Sequence, residues 1–138
     1  MYLTANANSK ICADALKSYP NECCGFLLGL EEVEKRLVSV VLPVVNISLE
    51  NQHRRFMISP SDYLLAEKFA DGKHLALLGI YHSHPDHPPV PSETDRLSAQ
   101  PYFSYLIVSV INGTVDRIQS WRLNDLEQFE EEILNLNK

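Results

Sequence analysis

The chain has 138 residues, 45% of them hydrophobic and 22% charged, with a formal net charge of −6. These values describe one globular domain over residues 1–138 with a single hydrophobic core. They argue against nucleic-acid binding, which needs a basic face to neutralise phosphates; the longest Lys/Arg runs are the pairs Lys35-Arg36 and Arg54-Arg55.

Met1–Lys10 is polar and lacks the charged-then-apolar order of a secretory signal. The longest apolar stretch, Leu37–Val45, is broken by Ser39 and Pro43 and cannot span a bilayer. Cys12, Cys23 and Cys24 are odd in number and two are adjacent, so they form no disulfide framework. Reduced thiols and a cytoplasmic setting are expected, with no membrane partner.

In chain order, Ala5–Tyr19 places Ile11, Ala15, Leu16 and Tyr19 at helical spacing, and Pro20 stops that helix. Cys23–Leu30 is a short apolar run read as a buried strand, and the Val/Leu-rich segment Arg36–Ile47 as a long strand bent near Pro43. Asn46–Arg55 reads as a loop leading into a short strand at Phe56–Ile58. Ser59 starts a second helix with Tyr63, Leu64, Phe69 and Ala70 on its inner side, ended by Asp71-Gly72. His74–His84 is continuous and apolar, as in a central strand covered on both faces.

A proline-rich loop follows, then a helix from Ser92 to about Ala99. Tyr105–Ile111 and Thr114–Trp121 flank Asn112-Gly113, a two-residue hairpin signal. The tail from Leu126 to Leu136 is ambiguous, because Glu-rich composition suits a helix while Phe129, Glu131 and Ile133 alternate. The fold class is α/β, a mixed sheet with helices packed on it.

The chemistry concentrates between His82 and Asp95. Side chains two apart on a strand share a face, with Cα atoms about 6.6 Å apart, so His82 and His84 can converge on one ion. Pro85, Pro88, Pro89 and Pro91 stiffen the turn that follows. Near a helix start, Ser92 and Asp95 lie three apart and look the same way, making Asp95 a third ligand. Three protein ligands leave a position for water, the pattern of a catalytic zinc. Glu22, at the start of a buried strand, is the carboxylate available for proton transfer, and Ser92 can donate to a developing oxyanion.

Simpler readings exist for each residue. Ser92-Glu93-Thr94-Asp95 after a proline is also a helix cap. Paired histidines on a strand are often only packed, and a glutamate before a strand is usually solvated. His53 and His74 read as surface residues, and His87 as a neutral neighbour of the metal. Cys23 and Cys24 read as buried thiols rather than nucleophiles, and Trp121 and the other aromatics as core.

His82-Ser83-His84-Pro85-Asp86-His87 also fits the HxHxDH motif of metallo-β-lactamase-type hydrolases. Those need further histidines downstream, and His87 is the last histidine of the chain. A two-metal site using Asp86 is rejected with that reading. A deaminase would need a glutamate at His84 and a later Pro-Cys-x-x-Cys, and neither is present.

Glu22, then His82-x-His84, seven residues, Ser92, two residues and Asp95 is a pattern that resembles the JAMM (MPN-plus) metalloproteases. The flanking Pro20–Gly25 and Gly79–Pro85 are similar to the small prokaryotic members. The resemblance implies a three-layer α-β-α fold akin to that of cytidine deaminases, and a final strand in Phe129–Leu136. It implies one Zn2+ per chain on His82, His84 and Asp95, Glu22 as general acid/base and Ser92 as oxyanion stabiliser. The implied activity is hydrolysis after the C-terminal tail of a ubiquitin-like sulfur-carrier protein, with the tail extended beside a sheet edge. The alternative is a non-catalytic scaffold or binding module of the same fold for a ubiquitin-like partner. Monomer and homodimer both remain open.

Overall fold

The computed structural model describes residues 1–137; Lys138, the last residue of the expected domain, lies outside them. In chain order the elements are β1 (Tyr2–Thr4), α1 (Ala5–Ser18), β2 (Cys24–Glu32), β3 (Lys35–Val44), α2 (Pro60–Gly72) and β4 (Ala76–Pro85). They continue with α3 (Glu93–Ser98), β5 (Ser104–Ile111), β6 (Thr114–Leu123), β7 (Phe129–Glu132) and β8 (Asn135–Asn137). The strands form a mixed sheet in the order β7-β6-β5-β4-β2-β3-β1-β8. β4 runs parallel to β5, and β1 parallel to both β3 and β8, while the β2–β3, β2–β4, β5–β6 and β6–β7 pairs are antiparallel.

Alternation along the strands divides the core between two faces. Leu27 joins Ala7, Ile11 and Ala15 of α1 on one face, while Phe26 and Leu28 join Ala66 and Ala70 of α2 on the other. The expected three layers are therefore present, with α1 and α2 on opposite sides of the sheet. Each fully buried Leu or Ile contributes about 1.5–3 kcal/mol, so the strand-rich centre is the most strongly held part.

A β-bulge in β4 orients the site. Leu27 pairs with Gly79 but its neighbour Leu28 pairs with Leu77, leaving Leu78 as the extra residue. Such an insertion flips the alternation beyond it. Ile80 thus faces α2, as do His82 and His84, two and four residues further on. Gly79 is required beside the bulge, because a Cβ there would collide with the Ser104 carbonyl.

Several expectations are corrected. Phe56–Ile58 is not a strand: the Asn46 side chain accepts from Met57 N at 3.1 Å and donates to the Arg55 carbonyl at 3.0 Å, taking backbone groups a ladder would use. In α2, Leu64 and Phe69 are 51% and 37% exposed, and the buried residues are Ala66 and Ala70. Leu16 of α1 is likewise exposed, and β3 is irregular opposite Leu28/Gly29 rather than near Pro43. The tail forms two short strands on opposite sheet edges, not one.

Trp121 is half-buried and Tyr102 is exposed, so not every aromatic is core. Arg36, with no apolar signature, is buried and donates to the carbonyls of Leu78 and Tyr102 at 2.9 and 2.7 Å. Among the described residues no helix is long and apolar enough to cross a membrane.

Candidate metal centre

The site lies where β4 ends. His82 and His84 point from its last turn of alternation toward α3, whose start carries Asp95. Their nearest donor atoms form a tight triangle. His82 Nε2 lies 3.2 Å from His84 Nε2, and Asp95 Oδ2 lies 3.3 and 3.2 Å from the two. Tetrahedral zinc with ligands at about 2.0–2.1 Å separates its ligand atoms by about 3.3–3.4 Å, so these donors fit one ion. Glu22, His82 and His84 also bring donor atoms within 4.8 Å of one another. The Asp95 triangle has the separations that a single tetrahedral ion requires.

The surroundings hold these donors in place. His84 Nδ1–H donates to the Pro88 carbonyl at 2.8 Å, fixing the tautomer that turns the Nε2 lone pair inward. Trp121 Nε1–H holds the same loop through the Pro89 carbonyl at 2.9 Å. Phe56 stacks on His82 with ring centroids 4.5 Å apart, and His87 on His84 at 4.0 Å. His87 donates its Nδ1–H to the Pro85 carbonyl, and burial lowers its pKa, consistent with a neutral ring.

The Ser92 and Asp95 readings coexist. Ser92 Oγ accepts the Asp95 N–H at 3.0 Å, and Asp95 Oδ2 accepts the Ser92 N–H at 2.9 Å, a reciprocal capping box. Capping occupies a lone pair of the Ser92 hydroxyl and leaves its O–H free to donate. Burial alone would raise the Asp95 pKa. Proximity to His82 and His84 and the hydrogen bond from the Ser92 backbone outweigh it and hold the carboxyl well below its usual range.

Glu22 departs furthest from its local reading. Only 3% exposed, it is held by its backbone N–H, which donates to the Gln52 carbonyl at 2.6 Å. Its Oε1 has no hydrogen-bond partner among the described residues, and neither has His82 Nδ1. Burial pushes its pKa up to about 8, against the opposing pull of His84. A buried carboxyl with an uncommitted oxygen beside three donors is suited to moving a proton.

The remaining predicted residues lie elsewhere. Asp86 has both oxygens engaged, accepting from Tyr19 OH at 2.7 Å and Asn112 N at 2.9 Å, so it is committed to bracing the hairpin rather than to the donor triangle. His53 and His74 are exposed. Burial raises the pKa of Cys23 and pushes that of Cys24 up to about 12, as expected of inert thiols. The sequence reading missed Phe56 and the Pro88 and Pro89 carbonyls as supports. The four prolines announced a rigid loop, but not which carbonyls would face inward.

Comparison with known proteins identifies the family. Prokaryotic homologs of the JAB domain match residues 4–124. Desampylase of Haloferax volcanii is 33% identical over 112 residues, covering 78% of each chain. The probable TtuB-protein conjugate cleaving protease of Thermus thermophilus is 34% identical over 69% of this chain and 60% of its own. The tail tip assembly protein K of Escherichia phage N15 is 34% identical over 79% of this chain, which spans only 41% of that protein. Among solved structures, protein DSY2949 of Desulfitobacterium hafniense superposes with a TM-score of 0.86 at 31% identity, covering 99% of this chain and 92% of that one. The chain belongs to the prokaryotic homologs of the JAB domain, the JAMM-type family that its motif resembles.

Proposed function

We propose that this chain is a zinc-dependent peptidase or isopeptidase that cuts after the C-terminal tail of a ubiquitin-like protein. The observation that carries the reading is the donor triangle of His82, His84 and Asp95 with buried Glu22 beside it. Two relatives support the substrate class, one named a desampylase and one a protease of TtuB-protein conjugates. The sulfur-carrier nature of the substrate extends that support by analogy.

His82 Nε2, His84 Nε2 and Asp95 Oδ2 would hold the ion. Zinc there would supply Lewis-acid chemistry to the attacking water and the scissile carbonyl. Glu22 takes the proton from that water and passes it to the nitrogen of the leaving amine as the C–N bond breaks. Ser92, its lone pair already used by the Asp95 N–H, donates its O–H to the developing oxyanion. His84 keeps its orientation throughout through Pro88.

The sheet edges are β7 and β8, and β4 stands three strands from β7, about 14 Å at ordinary strand spacing. Residues 45–59 and the proline loop would guide a tail extended toward the donors. A scaffold role is disfavoured because Glu22, His82, His84, Ser92 and Asp95 are all present and converge.

The test is turnover of a ubiquitin-like protein extended beyond its Gly-Gly tail, read by mass spectrometry. Wild-type protein is expected to remove the extension, and Glu22→Gln to lose turnover. Equal cleavage by both proteins contradicts the assignment of Glu22.

A further inference from the structure

The donor triangle is flanked by two pockets of opposite chemistry. On the His82 side, a cavity of about 160 Å3 is walled by Phe56, Met57, Ile58, Tyr63, Ile80 and Tyr105. On the His84 side, one of about 460 Å3 is lined by Asn21, His53, Arg54, Asp86 and His87 together with two prolines. Both are bordered by the 51–55 turn, which sends Arg55 to the first and Arg54 to the second. Arg55 is committed, donating to Thr94 Oγ1 at 3.0 Å. The Arg54 backbone N–H donates to the Asn51 carbonyl at 2.8 Å, but its guanidinium is unpaired among the described residues.

The proton transfer fixes which pocket takes which half of the substrate. Glu22 must face the leaving nitrogen, and β2 pairs antiparallel to β4 with Cys24 opposite His82. Glu22, two residues earlier, therefore stands opposite His84, next to Asn21 of the polar pocket. The acyl half then falls on the other side of the triangle, where His82 and Asp95 border the apolar pocket.

We propose that Arg54, aided by Asn21 and His53, binds a carboxylate on the leaving side of the scissile bond and so selects the leaving group. This rests on the peptidase reading for its orientation. A protein of net charge −6 otherwise repels anions, so an unpaired guanidinium beside the reaction centre gives local selectivity. Asp86 lines the same pocket and accepts from Tyr19 and Asn112, and among the described residues it makes no ion pair with Arg54. Arg54 is thus the group open to a guest, and a guanidinium matches a carboxylate in two parallel hydrogen bonds. The carboxylate is either the α-carboxylate of a departing terminal amino acid or an acidic side chain near the modified amine.

The test uses zinc-loaded protein and three peptides. One ends Leu-Gly-Gly-Ala with a free carboxylate, the second is its amide, and the third is an amide with Glu in place of Ala. Binding is measured calorimetrically to Glu22→Gln protein, which does not depend on turnover. The acid is expected to bind about tenfold tighter than the amide, and Arg54→Gln to reduce that ratio to within about twofold, with Arg54→Lys restoring part of it. In protein with Glu22 intact, the same ratio appears in KM rather than kcat.

Glu-amide matching the acid identifies a side-chain source, and matching the amide identifies the α-carboxylate. Equal binding of acid and amide, or a preference that survives Arg54→Gln, overturns the proposal. If the Arg54-dependent preference holds while intact enzyme cuts none of the peptides, the carboxylate site stands and the peptidase reading falls.

Discussion

Replacing Glu22 by Gln should stabilise the metal-free protein at neutral pH. Gln is the isostere of the protonated acid, and burial pushes the Glu22 pKa up to about 8 from an ordinary 4.5. Between those values the folded state holds a proton that the unfolded state has released, so wild-type stability falls as pH rises from about 4.5 to about 8. At one pKa unit per 1.36 kcal/mol the loss is about 3 kcal/mol at pH 7 and under about 1 kcal/mol at pH 5. The Gln variant has no such titration and escapes the loss. Urea unfolding of chelator-treated proteins, followed by Trp121 fluorescence, should show a variant-minus-wild-type difference that grows across this window. A difference independent of pH, or a Gln variant less stable than wild type at pH 7, would refute the claim that Glu22 is buried without a compensating partner. Restoring zinc should shrink the difference, because a nearby cation favours the carboxylate.

Ser92→Ala should keep its metal yet lose about 10²–10³-fold in kcat through the missing oxyanion donor, with about 1 kcal/mol of stability lost from the helix cap; activity, metal content and melting read on one preparation separate the two effects. Asp86→Ala should retain zinc and lower the melting temperature slightly, since its oxygens tie Tyr19 to Asn112; loss of zinc there, by elemental analysis, would return Asp86 to the ligand set. Gly79→Ala should cost more than an ordinary core substitution, because its Cβ meets the Ser104 backbone rather than a movable side chain; urea unfolding is the check.

The parts of the fold that were legible in the sequence are those whose cause is local. Asn112 and Gly113 both take positive φ, as the hairpin signal requires, and the apolar run ending in His82 and His84 is the buried β4. Features set by distant contacts were not legible. Glu22 looks like a solvated charge until Gln52 and the end of β4 enclose it. Arg36 looks like a surface cation until the carbonyls of Leu78 and Tyr102 surround it. The β4 bulge leaves no mark on composition, yet it decides which face receives both histidines. Phe56–Ile58 carries strand residues, but the Asn46 side chain claims the Met57 N–H and the adjoining Arg55 carbonyl. For the site, spacing alone brought His82, His84 and Asp95 together, whereas the second pocket depends on where the 51–55 turn settles.

The proposed ion site is His82, His84 and Asp95, with Glu22 beside it as a proton carrier. Elemental analysis of purified wild-type, Glu22→Gln and Asp95→Ala proteins after zinc loading and dialysis tests it most directly. One zinc per chain is expected in wild type and in Glu22→Gln, and none in Asp95→Ala. Zinc retained by Asp95→Ala and lost from Glu22→Gln would instead assign the ion to Glu22, His82 and His84.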